Sequence, residues 1–402
     1  MLVEAGYKTR IYPNRRQAGL IEKSFGCARF VYNYFLEINS ERLELGEKKL
    51  RYKDESRVLT LLKKKFEWLK EPDKFALQNA IKDQDGAFDN WFAKRAGKPK
   101  FHSGKNDYQS YRTNFTNNNI EISGRYIKLP KLGWMRFAKS KELNGKILNV
   151  TISRKNRKYY IAVTMRTEVE PKPVPIHREI GIDLGLRSFA VARADSGDTM
   201  EIENPKYLER SLKNLKRKQR QLARKRHPRH KGDKTVKSKN YLKLQRRVAK
   251  IQEKIANQRR DFLHKLSTKI VSENQAIGIE DLAVGNLLKN RKLARHIAQS
   301  GWRMFRTFLE YKAKWYGREL FVHDRFYPSS RLCGCGAVNK DLKLSDRLWI
   351  CEACGTLNSR DELAAENLKP STRGRGEFTP VECAPAGTDV QPSHCEAGIP
   401  RL

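Results

Sequence analysis

The chain has 402 residues, with 83 lysines and arginines against 45 aspartates and glutamates, for a formal net charge of +38. At 39% hydrophobic residues it can bury a core, which argues against wholesale disorder, and no stretch approaches the roughly eighteen uninterrupted apolar residues of a membrane span. Met1-Leu2-Val3-Glu4-Ala5-Gly6 lacks the apolar run of a signal peptide, so secretion is not expected, and the positive excess points to a polyanion, nucleic acid before an anionic membrane, as partner.

In chain order, Tyr7–Tyr12 reads as a short strand stopped by Pro13-Asn14. Leu20, Ile21, Phe25, Ala28, Val31, Phe35 and Leu36 then recur at helical spacing. Two further helices are expected around Glu55–Lys70, with Val58, Leu61, Leu62 and Phe66 inward, and around Lys74–Lys94. From about Tyr111 the period becomes two, with strands at 120–122, 126–129, 147–153 and 159–165. This suggests a small β-barrel whose first strand precedes a helical insertion, and Lys172-Pro-Val-Pro175 marks a boundary. Residues 206–266 carry two apolar stripes, Leu208, Leu212, Leu215 and Leu222, then Leu244, Val248, Ile251 and Ile255. The turn His227-Pro228-Arg229-His230-Lys231-Gly232 between them makes this a helical hairpin, with a surface of one charge sign suited to tracking phosphates. After about Lys369 the composition shifts to Pro, Gly, Ser and Thr, which reads as a disordered tail.

Three acids stand out. Ile180-Gly181-Ile182-Asp183-Leu184-Gly185 is an apolar strand holding one carboxylate, costly to bury unless paired, and Gly185 supports the tight turn that follows. Ala276-Ile277-Gly278-Ile279-Glu280 repeats the logic. Asp361, opening the helical stretch 362–368, reads by itself as an ordinary helix N-terminal acid. Together with a basic surround, two strand-embedded acids and a third at a helix start form a ribonuclease H-like pattern. Such carboxylates hold two Mg²⁺ or Mn²⁺ ions for phosphodiester hydrolysis, a task for hard oxygen ligands.

Four of the seven cysteines cluster as Cys333-Gly-Cys335 and Cys351-Glu-Ala-Cys354, thiolates suited to tetrahedral structural Zn²⁺ in a reducing compartment. The first pair is one residue shorter than a normal knuckle, so its turn should be distorted, and a decayed, metal-free finger is the alternative. Cys27 falls in a helical pattern and reads as a buried thiol, while Cys383 and Cys395 have no spacing partner.

Asp183, Glu280 and Asp361, with a cysteine ribbon between the last two, make the chain similar to the TnpB family, transposon-encoded RNA-guided DNA endonucleases related to type V CRISPR effectors. The resemblance runs from Tyr7 to Leu368 and includes Asp73–Asn79, Phe115–Ile120, Leu129–Trp134, Asn204–Tyr207, Asp261–Leu266 and Ser329-Ser330. It implies a bilobed protein that combines α/β, β-barrel and helical parts. A wedge-type β-barrel (1–13 and 108–172) would hold an inserted helical recognition domain (14–107). A RuvC-like nuclease domain (176–327 and 358–370) would include the hairpin 206–266 and carry a zinc-ribbon insertion (328–357), followed by the tail 371–402. It further implies a guide RNA from the transposon end, a short motif flanking double-stranded target DNA, and a monomeric ribonucleoprotein in a prokaryotic cytoplasm, at the nucleoid. Lys74, Gln78, Thr116 and Asn117 fall where the family reads the flanking motif, with Tyr52 beside them. Gln can pair adenine and Lys can reach guanine or phosphate, although Lys74 and Gln78 also suit a plain helix surface. Three departures lie around the third acid: the family's His-Asp is Asn358-Ser359, its later Asn is Leu363, and the first cysteine pair is short. They leave open an RNA-guided repressor that does not cut; a strand-transferring transposase is the third reading.

Overall fold

The computed structural model describes residues 2–140, 142–169, 177–230, 232–343 and 345–371. The expected boundary at 172–175, the tail beyond Ser371 with Cys383 and Cys395, and the side chain of Leu208 lie outside the described residues. The chain divides into two compact units, 1–170 with 221–250, and 171–220 with 251–402. The distal part of the basic hairpin therefore groups with the first unit.

In the first unit, β1 (Leu2–Tyr12) leads into α1 (Arg15–Glu44). Asn14 caps that helix reciprocally: its side chain accepts from the Gln17 N–H, and the Gln17 side chain accepts from the Asn14 N–H. Of the predicted face, Ile21, Phe25, Ala28, Val31, Phe35 and Leu36 are buried and Leu20 is half-buried against the same core. Next come α2 (Tyr52–Lys65), a 3-10 turn (Glu67–Lys70) and α3 (Lys74–Phe92). In α2 the buried positions are Glu55, Leu59 and Leu62, a four-and-three spacing that leaves the predicted core residue Leu61 out of phase and 62% exposed.

The strands β2 (Gln109–Asn114), β3 (Glu121–Ser123), β4 (Tyr126–Leu129), β5 (Gly133–Phe137), β6 (Lys146–Lys155) and β7 (Lys158–Glu168) join β1 in an antiparallel sheet of order β2-β6-β7-β1-β5-β4-β3. Among the described residues this sheet does not close into the expected barrel, because its edges, β2 and β3, do not pair. Helix α3 lies along the β2 edge. The Asn79 amide donates to the Arg112 carbonyl (2.9 Å) and to Asn114 Oδ1 (3.1 Å), and Thr113 Oγ1 donates to Asp73 (2.6 Å). These bonds cover the flank that a closing strand would need.

The second unit is built on β8 (His177–Leu184), β9 (Ser188–Ala194), β10 (Thr199–Glu203), β11 (Asn274–Glu280) and, later, β12 (Glu319–His323). Their order is β10-β9-β8-β11-β12, with β9 antiparallel to both neighbours and β11 parallel to β8 and β12. The hairpin helices α4 (Tyr207–Ala223) and α5 (Lys239–Glu273) span both units. The helices α6 (Val284–Leu287), α7 (Ala294–Ser300) and α8 (Trp302–Tyr316) precede β12. A ribbon with β13 (Leu348–Ile350) and β14 (Leu357–Ser359) then runs into α9 (Arg360–Asn367). Phe189, edge-on to Phe262 and Phe305, anchors the core with Ile180, Ile182, Ile277, Ile279 and Leu309.

One close approach positions everything that follows. Gly181 and Gly278 are register partners on the parallel strands β8 and β11. A Cβ on Gly181 would lie 1.9 Å from the Ala365 carbonyl oxygen, and one on Gly278 would lie 1.7 Å from that of Leu368. The two missing side chains thus form a seat for the end of α9. Residues two apart on a strand share a face, so Asp183 and Glu280 lie on the α9 face of the sheet.

Candidate metal centres and nucleic-acid interface

Asp183 sits one residue before the end of β8, Glu280 closes β11, and Asp361 is the second residue of α9, all three half-buried. Burial first, then the charges of Glu280 and Asp361, push the Asp183 carboxyl up to about 8, against the pull of Arg360 and the Leu184 N–H. Glu280 is likewise raised by burial, offset in part by the Ser329 hydroxyl, which donates to its Oε1 at 2.7 Å, and by Arg360. The structure therefore brings the three predicted acids into one electrostatic neighbourhood. Asp281, adjacent in sequence, is instead committed to Arg306 and Arg325. Excess negative charge held out of water favours a cation, and a carboxylate donor set suits a hard one.

Sequence reasoning missed several supports of this site. Ser329 reaches Glu280 from a loop held by Asn367, whose amide donates to the carbonyls of Ser329 (2.8 Å) and Leu332 (2.6 Å). No local pattern announces that contact. The glycine seat did leave a signal, the repeat Ile-Gly-Ile-acid at 180–183 and 277–280. Arg347, just before β13, places its Nη1 3.1 and 3.2 Å from the two Asp361 oxygens.

Among the described residues, the four cysteines form the one group of ligating side chains near enough to hold a metal ion as they stand, their Sγ atoms within 4.8 Å of one another. Cys333 and Cys354 are 3.6 Å apart and Cys335 and Cys351 3.7 Å, against roughly 3.8 Å between sulfurs of a tetrahedron with 2.3 Å Zn–S bonds. The thiols therefore fit Zn²⁺. The expected distortion of the short pair is a turn tightened by one residue. In the second knuckle Cys351 N–H donates to the Thr356 carbonyl and Gly355 N–H to that of Cys351. In the first, Cys333 N–H donates to the Ala337 carbonyl and Gly336 N–H to that of Cys333, so each bond spans one residue fewer. Both turns use a glycine at positive φ, +94° at Gly336 and +71° at Gly355.

The departures around Asp361 face this ribbon. The Asn358 amide is 3.6 Å from Cys333 Sγ and donates to the Thr356 carbonyl at 3.1 Å. Leu363 packs on the small core of Cys333, Leu342, Trp349 and Cys351. Both residues thereby tie the start of α9 to the cysteine cluster. Ser359, at the N-cap of α9, makes no side-chain capping bond.

The residues expected to read a flanking motif gather on α3 and its neighbours. Lys74 and Gln78 lie one turn apart on α3, which the Asp73 and Asn79 bonds fasten to β2. Thr116 and Asn117 fall in the turn leaving β2, where Asn119 accepts from the Thr116 N–H and Asn117 has φ +46°. Tyr52 meets α3 further along, with Lys82 Nζ 5.4 Å from its ring centre. The hairpin stripe is inward as predicted, with Leu215, Leu244, Val248 and Ile255 buried, while Lys216, Arg217, Arg224, Lys225 and Arg226 are exposed. A hollow of about 480 Å³ at its distal end is lined by Arg224, Lys225, Lys243 and Arg247 with Gln221, Asn240 and Leu244, and by no acid. Cys27 is the buried thiol expected, 3.8 Å from the Trp68 carbonyl and pushed up to about 11 chiefly by burial. Among the described residues no helix is long and apolar enough to cross a membrane.

Comparison with known proteins places matches along the whole chain. Residues 161–291 match a family described as "Probable transposase", 302–368 one described as "Cas12f1-like, TNB domain", and 1–48 one described as "Helix-turn-helix domain". Over that last range the elements are β1 and the single long helix α1. A Streptomyces pristinaespiralis protein named "Putative RNA-guided DNA endonuclease" is 37% identical over 415 residues, 100% of this chain and 99% of the relative. An Escherichia coli protein, "Putative RNA-guided DNA endonuclease InsQ", is 32% identical over 90% of each chain. The fold resembles the protein in a Cas12f1–sgRNA–target DNA complex, with a TM-score of 0.62 at 14% identity, covering 91% of this chain and 98% of that one.

Proposed function

The chain belongs to the TnpB family, and from that membership we propose that it is an RNA-guided DNA endonuclease of a transposable element that cuts guide-matched DNA beside a short flanking motif. One observation carries the reading: three acids from β8, β11 and α9 share a half-buried space, where Asp183 feels the charges of both the others. In a chain of net charge +38, three carboxylates gathered partly out of water are the unusual feature, and a divalent cation is the partner their chemistry selects.

Asp183, Glu280 and Asp361 would hold Mg²⁺ or Mn²⁺. Two such ions supply an activated water and charge stabilisation at the leaving oxygen of a phosphodiester. The chain's own residues orient the ligands: the Ser329 hydroxyl fixes one oxygen of Glu280, and Arg360 offsets the local negative field. In this reading the β8–β12 sheet is the ribonuclease H-like (RuvC) core, and the cysteine ribbon holds a structural Zn²⁺. The remaining assignments follow the same reading: residues 14–107 act as the recognition domain, and Lys74, Gln78, Thr116 and Asn117, with Tyr52, read the flanking motif. The exposed cations of the hairpin take up phosphates.

The test co-expresses the chain with its flanking locus and challenges it with target plasmids bearing randomised flanks. Plasmids with one flank motif should be lost, and Asp183→Ala should spare them all while still binding RNA and DNA. Equal loss with Asp183→Ala would refute the site. Capture of the same motif by both proteins without loss would mean a guided binder instead.

A further inference from the structure

The third acid already holds a cation. Arg347 Nη1 spans both oxygens of Asp361, at 3.1 and 3.2 Å, and the pair is partly exposed, 52% for the arginine and 35% for the aspartate side chain. The segment that carries Arg347 is fastened to the same stretch of α9 by two more bonds. The Arg360 N–H donates to the Arg347 carbonyl at 2.8 Å, and Arg360 Nη1 donates to the Lys343 carbonyl at 3.0 Å. The ribbon therefore grips the residue before Asp361 through its backbone and Asp361 itself through a charge. A guanidinium and a divalent ion compete for the same carboxylate lone pairs.

We infer that Arg347 is a latch on the third acid: its guanidinium occupies Asp361 and must swing away before a divalent ion can take that carboxylate. The inference rests on the metal-dependent reading above. It makes Arg347 a positioning residue and metal loading sensitive to the ribbon, because moving the backbone at Arg347 moves the latch. A purely structural role for the pair would give the opposite sign on removal, since a loosened Asp361 would bind metal less well.

The test titrates Mn²⁺ into the full-length, zinc-loaded chain at low ionic strength and follows free Mn²⁺ by electron paramagnetic resonance. Arg347→Ala should bind Mn²⁺ about two- to five-fold more tightly than the unaltered chain, the range of a partly exposed ion pair. That gain should shrink as salt screens the pair. Lys343→Ala removes a cation from the same segment without touching Asp361, and should leave affinity unchanged. An Arg347→Ala affinity that is unchanged or weaker, or an equal gain in Lys343→Ala, would overturn the latch. Asp361→Asn separates this failure from that of the metal reading. If it binds Mn²⁺ as tightly as the unaltered chain, Asp361 is no ligand and the metal-site assignment itself falls.

Discussion

The glycine seat under α9 offers a sharp perturbation far from any ligand. In Gly278→Ala the new methyl would lie 1.7 Å from the Leu368 carbonyl oxygen and 2.9 Å from its carbon. Ordinary contact begins near 3.4 Å, so the end of α9 must retreat by about 3.4 − 1.7 = 1.7 Å, breaking the 2.8 Å hydrogen bond between His323 Nε2 and that carbonyl. The alternative, a matching bulge in β11, would displace Glu280, only two residues on. Overpacking of this kind costs about 1–3 kcal/mol of stability, which a domain of this size survives. Function is more exposed, because α9 is short and stiff and its first turn carries Asp361. A misplacement of about 1 Å can cost on the order of a hundred-fold in rate. The expected result is thus a single-turnover cleavage rate on guide-matched DNA reduced about a hundred-fold or more, with guide RNA binding and circular dichroism retained. Gly285→Ala, where an added methyl meets nothing within 4 Å, is the control and should cut normally. Full cleavage by Gly278→Ala would refute the argument that the seat places the third acid. Loss of RNA binding along with cleavage would mean that the variant simply fails to fold.

Other expectations follow from the same geometry. Cys351→Ser should lower the zinc content measured by elemental analysis from about one per chain, and should depress cleavage more than RNA binding, since Asn358 and Leu363 tie α9 to the cluster. A zinc content near zero in the unaltered chain would dismiss the ribbon site. Glu55 is wholly buried, with Oε1 accepting from Asn39, and burial pushes its carboxyl up from 4.5 to about 7. The folded state therefore holds more protons than the unfolded state between those values, and stability falls as pH rises from 4.5 to 7. Glu55→Gln should raise the melting temperature at pH 8 and change it little near pH 4.5; an equal shift at both would exclude the ionisation. Replacing Arg224, Lys225 and Arg247 with alanine should weaken RNA binding and flatten its salt dependence by about one unit of log–log slope for each phosphate no longer neutralised. An unaltered slope would remove the hairpin hollow from the RNA path.

How much of this was legible beforehand differs by element. The buried faces of α1 and α5 followed directly from three- and four-residue spacing, because a long helix leaves its core-facing stripe in the sequence. In α2 that logic slipped at Leu61: a hydrophobic side chain does not by itself declare the helix phase, and Leu59 and Leu62 are the leucines that reach the core. The helix α8 and the strand β12 went unread, although β12 completes the five-stranded sheet. The expected barrel remained an open sheet among the described residues because α3 lies along β2, a long-range pairing that strand periodicity cannot express.

The sequence by itself determined which residue types stand ready: the acids Asp183, Glu280 and Asp361, four clustered thiols, one pair at knuckle spacing and one a residue short, and a surplus of cations along the hairpin. These are chemical identities and local periods, and they survive in one dimension. Only the tertiary structure decided what those residues do to one another. It set Gly181 opposite Gly278 so that a helix backbone could settle where side chains would otherwise stand. It turned Asn358 and Leu363 toward the ribbon, and closed Arg347 over Asp361. The repeated Ile-Gly-Ile-acid hints at the first of these, but which segments meet is fixed by packing and by the pairing of charge, and is invisible until the chain is folded.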